Sequence, residues 1–431
     1  MTGKYFQRDV SGSILKWMGR KEIIAIRGPR QAGKTTMVRH MMEEMQKSGT
    51  EEGRITFVTF EDLEMREKFS EDPAAFVKSF AMPGRRHYFF FDEFQYVEEG
   101  GQKLKLLYDT MDDVKFVVTG SSSLEISKFS KYLVGRVFLF ELYPFSFHEF
   151  LAAADERLAR IYEEKNKLVR NFIHGGGGFS VEKDIFAGEI AGIFEKFALR
   201  GGYPETVIAP DEETMKIVLK NLYETYIRKD IVELLKIKDI FKFRKLVRIL
   251  AAQSGGIANY NELAATCGSY YKETTGLLSI LEETYVIRTV RPFHSSLGTE
   301  LKKNPKIYFF DNGLRNHIIN SFGPLDGRPD GGMVFENAVL GQLFSIAGSG
   351  AKINFWRTTG GAEVDFIIDT GSEAIPVEAK SGPVSTKNVP RGLANFIEAY
   401  KPGRAVVVTK DIWGMHTAGR TVVMFIPACY L

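Results

Sequence analysis

Cysteine is scarce in this sequence of 431 residues, which contains only Cys267 and Cys429. Two cysteines so far apart fit neither a disulfide framework nor a metal site built from repeated cysteine spacings. We therefore expect both to be plain buried thiols.

Long apolar runs are also missing. No segment approaches the roughly 20 uninterrupted apolar residues that a membrane-spanning helix needs. Residues 1–10 carry charges and lack the apolar stretch of a secretory signal. An excess of one charge is absent as well, because the formal net charge is only +3, which does not by itself indicate nucleic-acid binding. We expect a cytoplasmic protein that does not enter a membrane.

Short apolar runs, in contrast, recur between helical stretches in the first part of the chain. They occur at residues 23–26, 55–58, 88–91 and 116–118. Near-continuous apolar strands separated by helices indicate a parallel sheet that is covered on both faces. The length of the chain allows about three domains by the usual size of a domain core.

A phosphate-binding loop follows the first apolar run. It reads Gly28-Pro29-Arg30-Gln31-Ala32-Gly33-Lys34-Thr35-Thr36. Glycines allow the backbone to fold tightly around phosphate oxygens, and the N–H groups at a helix N-terminus complement their negative charge. We predict that Lys34 reaches the β- and γ-phosphates and that Thr35 is a Mg²⁺ ligand. The loop therefore predicts a site for a nucleoside triphosphate, with ATP and Mg²⁺ as the expected pair.

A second motif is an apolar strand that ends in Asp92 and Glu93. One carboxylate in this position holds Mg²⁺ through water, and the next activates or orients the attacking water. We assign the first role to Asp92 and the second to Glu93. Alone, the run is equally consistent with an exposed strand end. A further strand ends in polar residues, of which Thr119 or Ser121 is expected to contact the γ-phosphate or the attacking water.

These motifs together resemble a prokaryotic AAA-type ATPase family whose members carry a C-terminal domain of unknown function with a nuclease-like fold. The resemblance implies a RecA-like ATPase core and covers nearly the whole chain. Arg136 matches the Gly-Arg position that follows the sensor strand and is the candidate arginine finger across a subunit interface; a surface ion pair is the alternative. Arg30 in the loop and Arg200 in the predicted lid are further candidates for contact with the γ-phosphate.

A winged helix-turn-helix is predicted further along the chain. Helical patterns at residues 242–253, 260–266 and 270–284 precede strand patterns at 285–290 and 306–310. The candidate DNA contacts are Tyr270, Tyr271, Lys272, Arg288, Lys302 and Lys303. The alternative is a packing or oligomerisation module with solvated charges.

The C-terminal part combines an acid on one strand with an acid-x-lysine pattern on the next. Asp365 precedes a hairpin-length link, and Glu378 and Lys380 follow it on one face of the second strand. This region resembles the PD-(D/E)XK nucleases. In such a site Asp365 and Glu378 bind Mg²⁺, Lys380 positions the water, and Glu336 on a preceding helix is the upstream acid.

The predicted fold is thus α/β, with four parts: a RecA-like, AAA-type parallel-sheet P-loop core over residues 1–150, a helical lid over 151–236, the winged helix-turn-helix over 237–310, and a mixed α/β, PD-(D/E)XK nuclease-like domain over 311–431. We predict a Mg²⁺-dependent ATPase, in a homo-oligomer, that works on DNA. An ATP-gated nuclease and a nucleotide-dependent switch that binds a protein partner are the alternatives.

Overall fold

The computed structural model describes residues 5–82, 84–121, 131–176, 184–294, 300, 303–348 and 350–431. The chain divides into two compact units, Met1–Pro144 with Glu283–Tyr285, and Phe145–Glu282 with Val286–Leu431. The predicted boundaries at 236 and 310 fall inside the second unit and stay predictions of sequence modules. Among the described residues, no helix combines the length and hydropathy needed to cross a bilayer.

A parallel sheet forms the centre of the first unit. Its strands lie in the order β2-β3-β4-β1-β5 and all of their pairings are parallel. Their bounds are β1 Ile23–Arg27, β2 Ile55–Thr59, β3 His87–Asp92, β4 Val114–Gly120 and β5 Val137–Glu141. The predicted parallel sheet is confirmed.

Both faces of the sheet are buried at the central strands β1, β3 and β4, as expected from their continuous apolar runs. Phe89 and Phe91 pack on one face within a phenylalanine-rich core, whereas Phe90 packs on the other face with Met37 and Val38. This alternation follows from the two-residue period of a strand. The helices of the unit are α1 Ser11–Leu15, α2 Lys34–Lys47, α3 Leu63–Glu71, α4 Pro73–Phe80 and α5 Gly100–Thr110.

The second unit begins with a helical segment. A capping box formed by Ser146 and Glu149 fixes the start of its first helix. The helices are α6 Phe147–Ala154, α7 Glu156–Ile173, α8 Ala187–Arg200, α9 Pro204–Val207 and α10 Glu212–Thr225, followed by a π-helix at Tyr226–Leu234.

Three helices and an antiparallel strand pair occupy the region predicted as a winged helix. The elements are α11 Ile240–Ala252, α12 Tyr260–Cys267, α13 Tyr271–Glu283, β6 Ile287–Pro292 and β7 Lys306–Phe309. The expected core positions Leu263, Leu277 and Leu281 are buried in one cluster. The assignment of this arrangement as a winged helix stays a prediction.

An eight-stranded mixed sheet runs through the rest of the unit in the order β12-β13-β11-β10-β9-β8-β6-β7. The remaining elements are α14 Asn312–Ile319, α15 Gly331–Ile346, β8 Lys352–Arg357, β9 Glu363–Asp369, β10 Ala374–Ala379, α16 Arg391–Tyr400, β11 Arg404–Thr409, β12 Gly414–Ala418 and β13 Thr421–Pro427.

This sheet joins strands that the sequence pattern treats as two separate groups. Beyond its pairing with β7, strand β6 continues through Arg291 and Pro292, which pair in parallel with β8. Helices α7 and α8 contribute Leu158 and Ile190 to the same core as Val334 on α15. The helical segment therefore shares its core with the C-terminal sheet. Both cysteines are free and buried, as predicted.

Candidate functional site

The phosphate-binding loop connects β1 to α2 with a backbone that requires glycine. A Cβ added at Gly28 would lie 1.9 Å from the carbonyl oxygen of Leu142, so a side chain has no room there. Gly33, which caps α2, has a φ of 94° and Gln31 has a φ of 61°. These left-handed positions produce the tight turn that a phosphate cradle needs.

Lys34 begins α2 and is only 4% exposed. Its Nζ donates to the carbonyl oxygens of Gly28, at 2.9 Å, and Pro29, at 2.8 Å. A buried ammonium requires such partners, because burial without them is costly. The loop therefore holds a positive charge at its own centre, where the sequence places the contact with phosphate.

Arg8 lies outside the loop in sequence but contacts it, and no sequence motif indicates this contact. The side chain is 4% exposed. Its guanidinium donates to the carbonyl oxygens of Ala32, at 2.7 Å, and Tyr143, at 2.6 Å. Arg8 thus fixes the loop from a position outside the motif.

Asp92 lies at the carboxyl end of β3 and accepts hydrogen bonds from two threonine hydroxyls. Thr35 Oγ1 is 2.8 Å from Asp92 Oδ2, and Thr119 Oγ1 donates to Asp92 Oδ1. The carboxylate is 4% exposed. Burial raises the pKa of Asp92, and the hydrogen bonds from Thr119 and Thr35 oppose this rise without cancelling it. Three predicted site residues are therefore in direct contact.

Glu93 follows Asp92 in a left-handed backbone conformation, with φ 52° and ψ 44°. Its N–H donates to Thr119 Oγ1 at 3.2 Å, and its carboxylate accepts from the side chain of Gln95. Left-handed non-glycine residues are costly and concentrate at functional sites. The contact with Gln95 is not indicated by the motif.

The other predicted nucleotide contacts are more dispersed. Arg30 Nη2 lies 3.5 Å from the hydroxyl of Tyr96, while Gln31 and Thr36 are exposed. Arg136 Nε donates to Asp109 Oδ1 at 2.9 Å. This is an ion pair, which is the alternative to an arginine finger at this position. Arg200 ends α8 in the second unit and is half-buried. Their predicted roles stay predictions.

A second group of carboxylates lies in the second unit. Lys380 Nζ is 2.6 Å from Glu378 Oε1, and the N–H of Ala379 donates to Asp365 Oδ2 at 2.9 Å. Glu336, on α15, accepts from the hydroxyl of Tyr308. The fold brings the four predicted residues into one cluster, in which the charge of Glu336 acts on Asp365, Glu378 and Lys380.

Lys306 is a member of this cluster that sequence reasoning missed. It is 3% exposed on β7. Its Nζ lies 2.6 Å from Glu363 Oε1 and 3.4 Å from Glu336 Oε1. Burial alone would lower the pKa of Lys306, but the carboxylates of Glu336, Asp365 and Glu363 together raise it. In the sequence, the one indication of a special role for Lys306 is that a lysine begins an otherwise apolar strand.

The protonation of the cluster is controlled by burial and like charge. Burial, and then the charges of Glu336 and Glu378, raise the pKa of Asp365 well above its usual range. Burial also raises the pKa of Glu378, against the effect of Lys380. Two acids close together in a buried site resist simultaneous ionisation.

One observation favours metal binding by this cluster, and another opposes it. Glu378 Oε2 is buried with no hydrogen-bond partner, and oxygen donors suit Mg²⁺. However, across the described ranges no three His, Cys, Asp or Glu side chains converge so as to hold a metal ion. Glu336, Asp365 and Glu378 therefore do not form a closed cage in this conformation.

The candidate DNA contacts differ in their surroundings. Tyr270 and Tyr271 are 66% and 54% exposed, and Lys272 and Lys303 are exposed as well. The guanidinium of Arg288 instead lies over two rings, 4.2 Å from the centroid of Phe310 and 3.6 Å from that of Phe344. These contacts give Arg288 a packing role within the unit. Lys302 lies outside the described residues.

Three family models match successive parts of the chain. Residues 20–151 match an AAA domain, which supports an AAA-like P-loop fold for this part, in agreement with its parallel sheet. Residues 192–324 and 331–429 match two domains of unknown function, DUF8612 and DUF4143.

Relatives extend over most of the chain at low identity. An uncharacterized protein of Haemophilus influenzae is 26% identical over 365 residues, covering 83% of this chain and 82% of its own length. An uncharacterized protein of Mycobacterium tuberculosis is 23% identical over 406 residues, covering 93% and 79%. Among solved structures, Aeropyrum pernix ORC1 in complex with DNA is similar with a TM-score of 0.35 and 13% identity, covering 74% of this chain and 93% of that one. That TM-score is too low to support an inference.

Proposed function

We propose that the chain hydrolyses ATP with Mg²⁺ at the phosphate-binding loop and couples the hydrolysis to work on DNA. The observation that carries the proposal is the contact of Asp92 with Thr35 and Thr119, beside a loop centred on Lys34. Carboxyl ends of parallel strands are the usual place for ligands in such sheets.

The site residues fit the proposed reaction. Thr35 and Asp92 offer oxygen ligands to Mg²⁺, which, when bound, neutralises charge on the phosphate oxygens. Lys34 exchanges its loop carbonyls for phosphate oxygens. The water oxygen bonds to the γ-phosphorus as the bond to the β,γ-bridging oxygen breaks, and Glu93 accepts the proton of that water.

Two substitutions test the ATP site. Lys34→Ala is expected to abolish nucleotide binding, and Glu93→Gln to keep binding while turnover falls. Fluorescent-nucleotide binding and phosphate release measure the two steps. Lys47→Ala, at the exposed end of the same helix, is the matched control. Turnover that survives Lys34→Ala would exclude this loop as the site.

The DNA part of the proposal is supported by the exposed start of α13. Tyr270, Tyr271 and Lys272 combine two aromatic rings and a cation on one helix end, as expected of a recognition helix. Fluorescence anisotropy at low salt with duplex, forked and four-way DNA tests it. Binding that weakens in Tyr271→Ala supports the proposal, and no binding to any of the three DNAs overturns it.

We also propose that copies of the chain assemble and that Arg136 completes a neighbour's ATP site. Arg136→Ala and Lys34→Ala are each expected to be inactive alone. A mixture regains turnover if one copy supplies Arg136 and the other supplies Lys34. Failure of the mixture to recover activity, with assembly verified by ultracentrifugation, would reject an arginine finger at Arg136.

A nuclease is the second candidate function. It is favoured by Oε2 of Glu378, a residue that lies close to Asp365 and Lys380. This oxygen is buried and has no hydrogen-bond partner. Incubation of DNA with Mg²⁺ or Mn²⁺ is the test, with Asp365→Ala as the variant. Cleavage that persists in this variant does not come from the proposed site, and the absence of cleavage in the wild type excludes the activity.

A further inference from the structure

Gln95 is a buried polar residue that follows the Asp92-Glu93 motif. It lies in the short helix Phe94–Tyr96 directly after β3, and only 5% of its surface is exposed. A buried amide is costly unless its groups are hydrogen-bonded. Its partners therefore indicate why a glutamine lies here.

The amide of Gln95 joins Glu93 to the end of the neighbouring strand. Its Nε2 donates to Glu93 Oε2 and, at 3.0 Å, to Ser121 Oγ. Its Oε1 accepts from the backbone N–H of Ser121 at 3.3 Å. Exchange of the amide nitrogen and oxygen would place an acceptor against the carboxylate, so the network fixes the orientation of this amide.

Glu93 is consequently linked to the end of β4 through both its backbone and its side chain. Its backbone N–H donates to Thr119, and its carboxylate reaches Ser121 through Gln95. The left-handed backbone of Glu93 is a costly conformation that such surrounding contacts have to maintain. The direction of the carboxylate therefore follows the position of the strand end that carries Thr119 and Ser121.

We propose that Gln95 is a positioning residue, which aims the Glu93 carboxylate at the attacking water and links its direction to the end of β4. This inference rests on the proposed ATP hydrolysis. A triphosphate that contacts the polar end of β4 shifts Ser121, and Gln95 passes this shift to Glu93. Gln95 itself touches neither the nucleotide nor the water.

Gln95→Met tests the proposal because it removes the amide and keeps a similar volume. We expect kcat to fall about tenfold, which is less than the roughly 100-fold or more that a positioned proton acceptor contributes, because Glu93 itself is retained. The KM for ATP and the affinity for a fluorescent ATP analogue stay unchanged. Gln95→Asn keeps an amide on a shorter side chain and is expected to give an intermediate kcat. Gln46→Met, at an exposed glutamine of α2, is the matched control.

Each remaining outcome has one meaning. An active wild type with an equally active Gln95→Met overturns the positioning role and leaves ATP hydrolysis standing. A parallel loss of kcat, nucleotide affinity and thermal stability assigns Gln95 a structural role only and also overturns the proposal. A wild type that releases no phosphate from ATP is the failure of the proposed function itself.

Discussion

The carboxylates of the two candidate sites, one in each unit, are stabilised by different kinds of partner. In the first unit Asp92 accepts from the hydroxyls of Thr35 and Thr119, while the ammonium of Lys34 is bonded to loop carbonyls. In the second unit Glu378 and Glu363 are paired with the ammonium groups of Lys380 and Lys306.

This difference indicates how readily the carboxylates of each site bind a further cation. A carboxylate held by neutral hydroxyls has no ion pair to break before it binds a cation. A carboxylate paired with a lysine is already compensated, and where the lysine is buried, as Lys306 is, breaking the pair leaves the carboxylate without its counter-charge. The first arrangement favours reversible ligand binding, whereas in the second the loss of either partner is costly.

The largest expected effect is at Asp92. Asp92→Asn should lower ATP turnover on the order of 1,000-fold, because it removes the charge that we propose holds Mg²⁺ near the phosphates. Thermal stability should change little, since the amide oxygen still accepts from a threonine hydroxyl. Phosphate release and thermal unfolding measure the two quantities. Asp112→Asn, at an exposed carboxylate, is the control, and full activity of Asp92→Asn would contradict the comparison.

Lys306 tests the case of carboxylates that are paired with a buried lysine. Lys306→Met should lower the free energy of unfolding by about 3 kcal/mol, because Glu336 and Glu363 lose a buried counter-charge. Urea unfolding measures this change, and Lys303→Met supplies an exposed lysine of the same segment as control. Equal stability of the two variants would show that the buried pairs contribute no more than a surface charge.

Asp311 extends the comparison to a carboxylate held by backbone N–H groups alone. It accepts from the N–H of Gly202 at 2.7 Å and of Leu314 at 2.8 Å. Burial outweighs these bonds and raises its pKa to about 6. The folded chain then binds the proton more tightly than the unfolded chain, so this residue's contribution to stability falls as the pH rises from the ordinary pKa towards 6 and levels off above it.

The size of this pH effect follows from the shift. Between pH 5 and pH 7 the loss should be on the order of 1 kcal/mol. The unfolding midpoint of the wild type at these two pH values measures it, and Asp311→Asn should remove this part of the pH dependence. An identical pH dependence in the variant would mean that Asp311 titrates normally.

The smallest effect concerns an exposed lysine. Lys272→Ala should weaken DNA binding and reduce the slope of log affinity against log salt by about 1, as for one lost phosphate contact. Lys387→Ala, also exposed in this unit, is the control. If both variants match the wild type, exposed cations of this helix end contribute no more to DNA binding than remote ones.

Much of the first unit was predictable because its signals are local. The apolar runs predicted β1 to β4, although not β5, and the glycine spacing placed the loop between β1 and α2. The convergence of Thr35, Asp92 and Thr119 follows from parallel strands that end at one edge. In the second unit, β12 gave no signal, because its burial only alternates between half-buried and exposed residues. The joining of β6 to β8 depends on two residue pairs far apart in sequence.

The sequence alone predicted which residues of the loop and of the strand ends act on a nucleotide, because these predictions depend on spacing within one segment. Only the tertiary structure decided their partners: Arg8 on the carbonyl of Ala32, Gln95 between Glu93 and Ser121, and Lys306 among the acids of another strand and helix. None of these three residues belongs to a motif of fixed spacing. Each acquires its role from burial beside groups that are distant along the chain, since a buried polar group requires a partner.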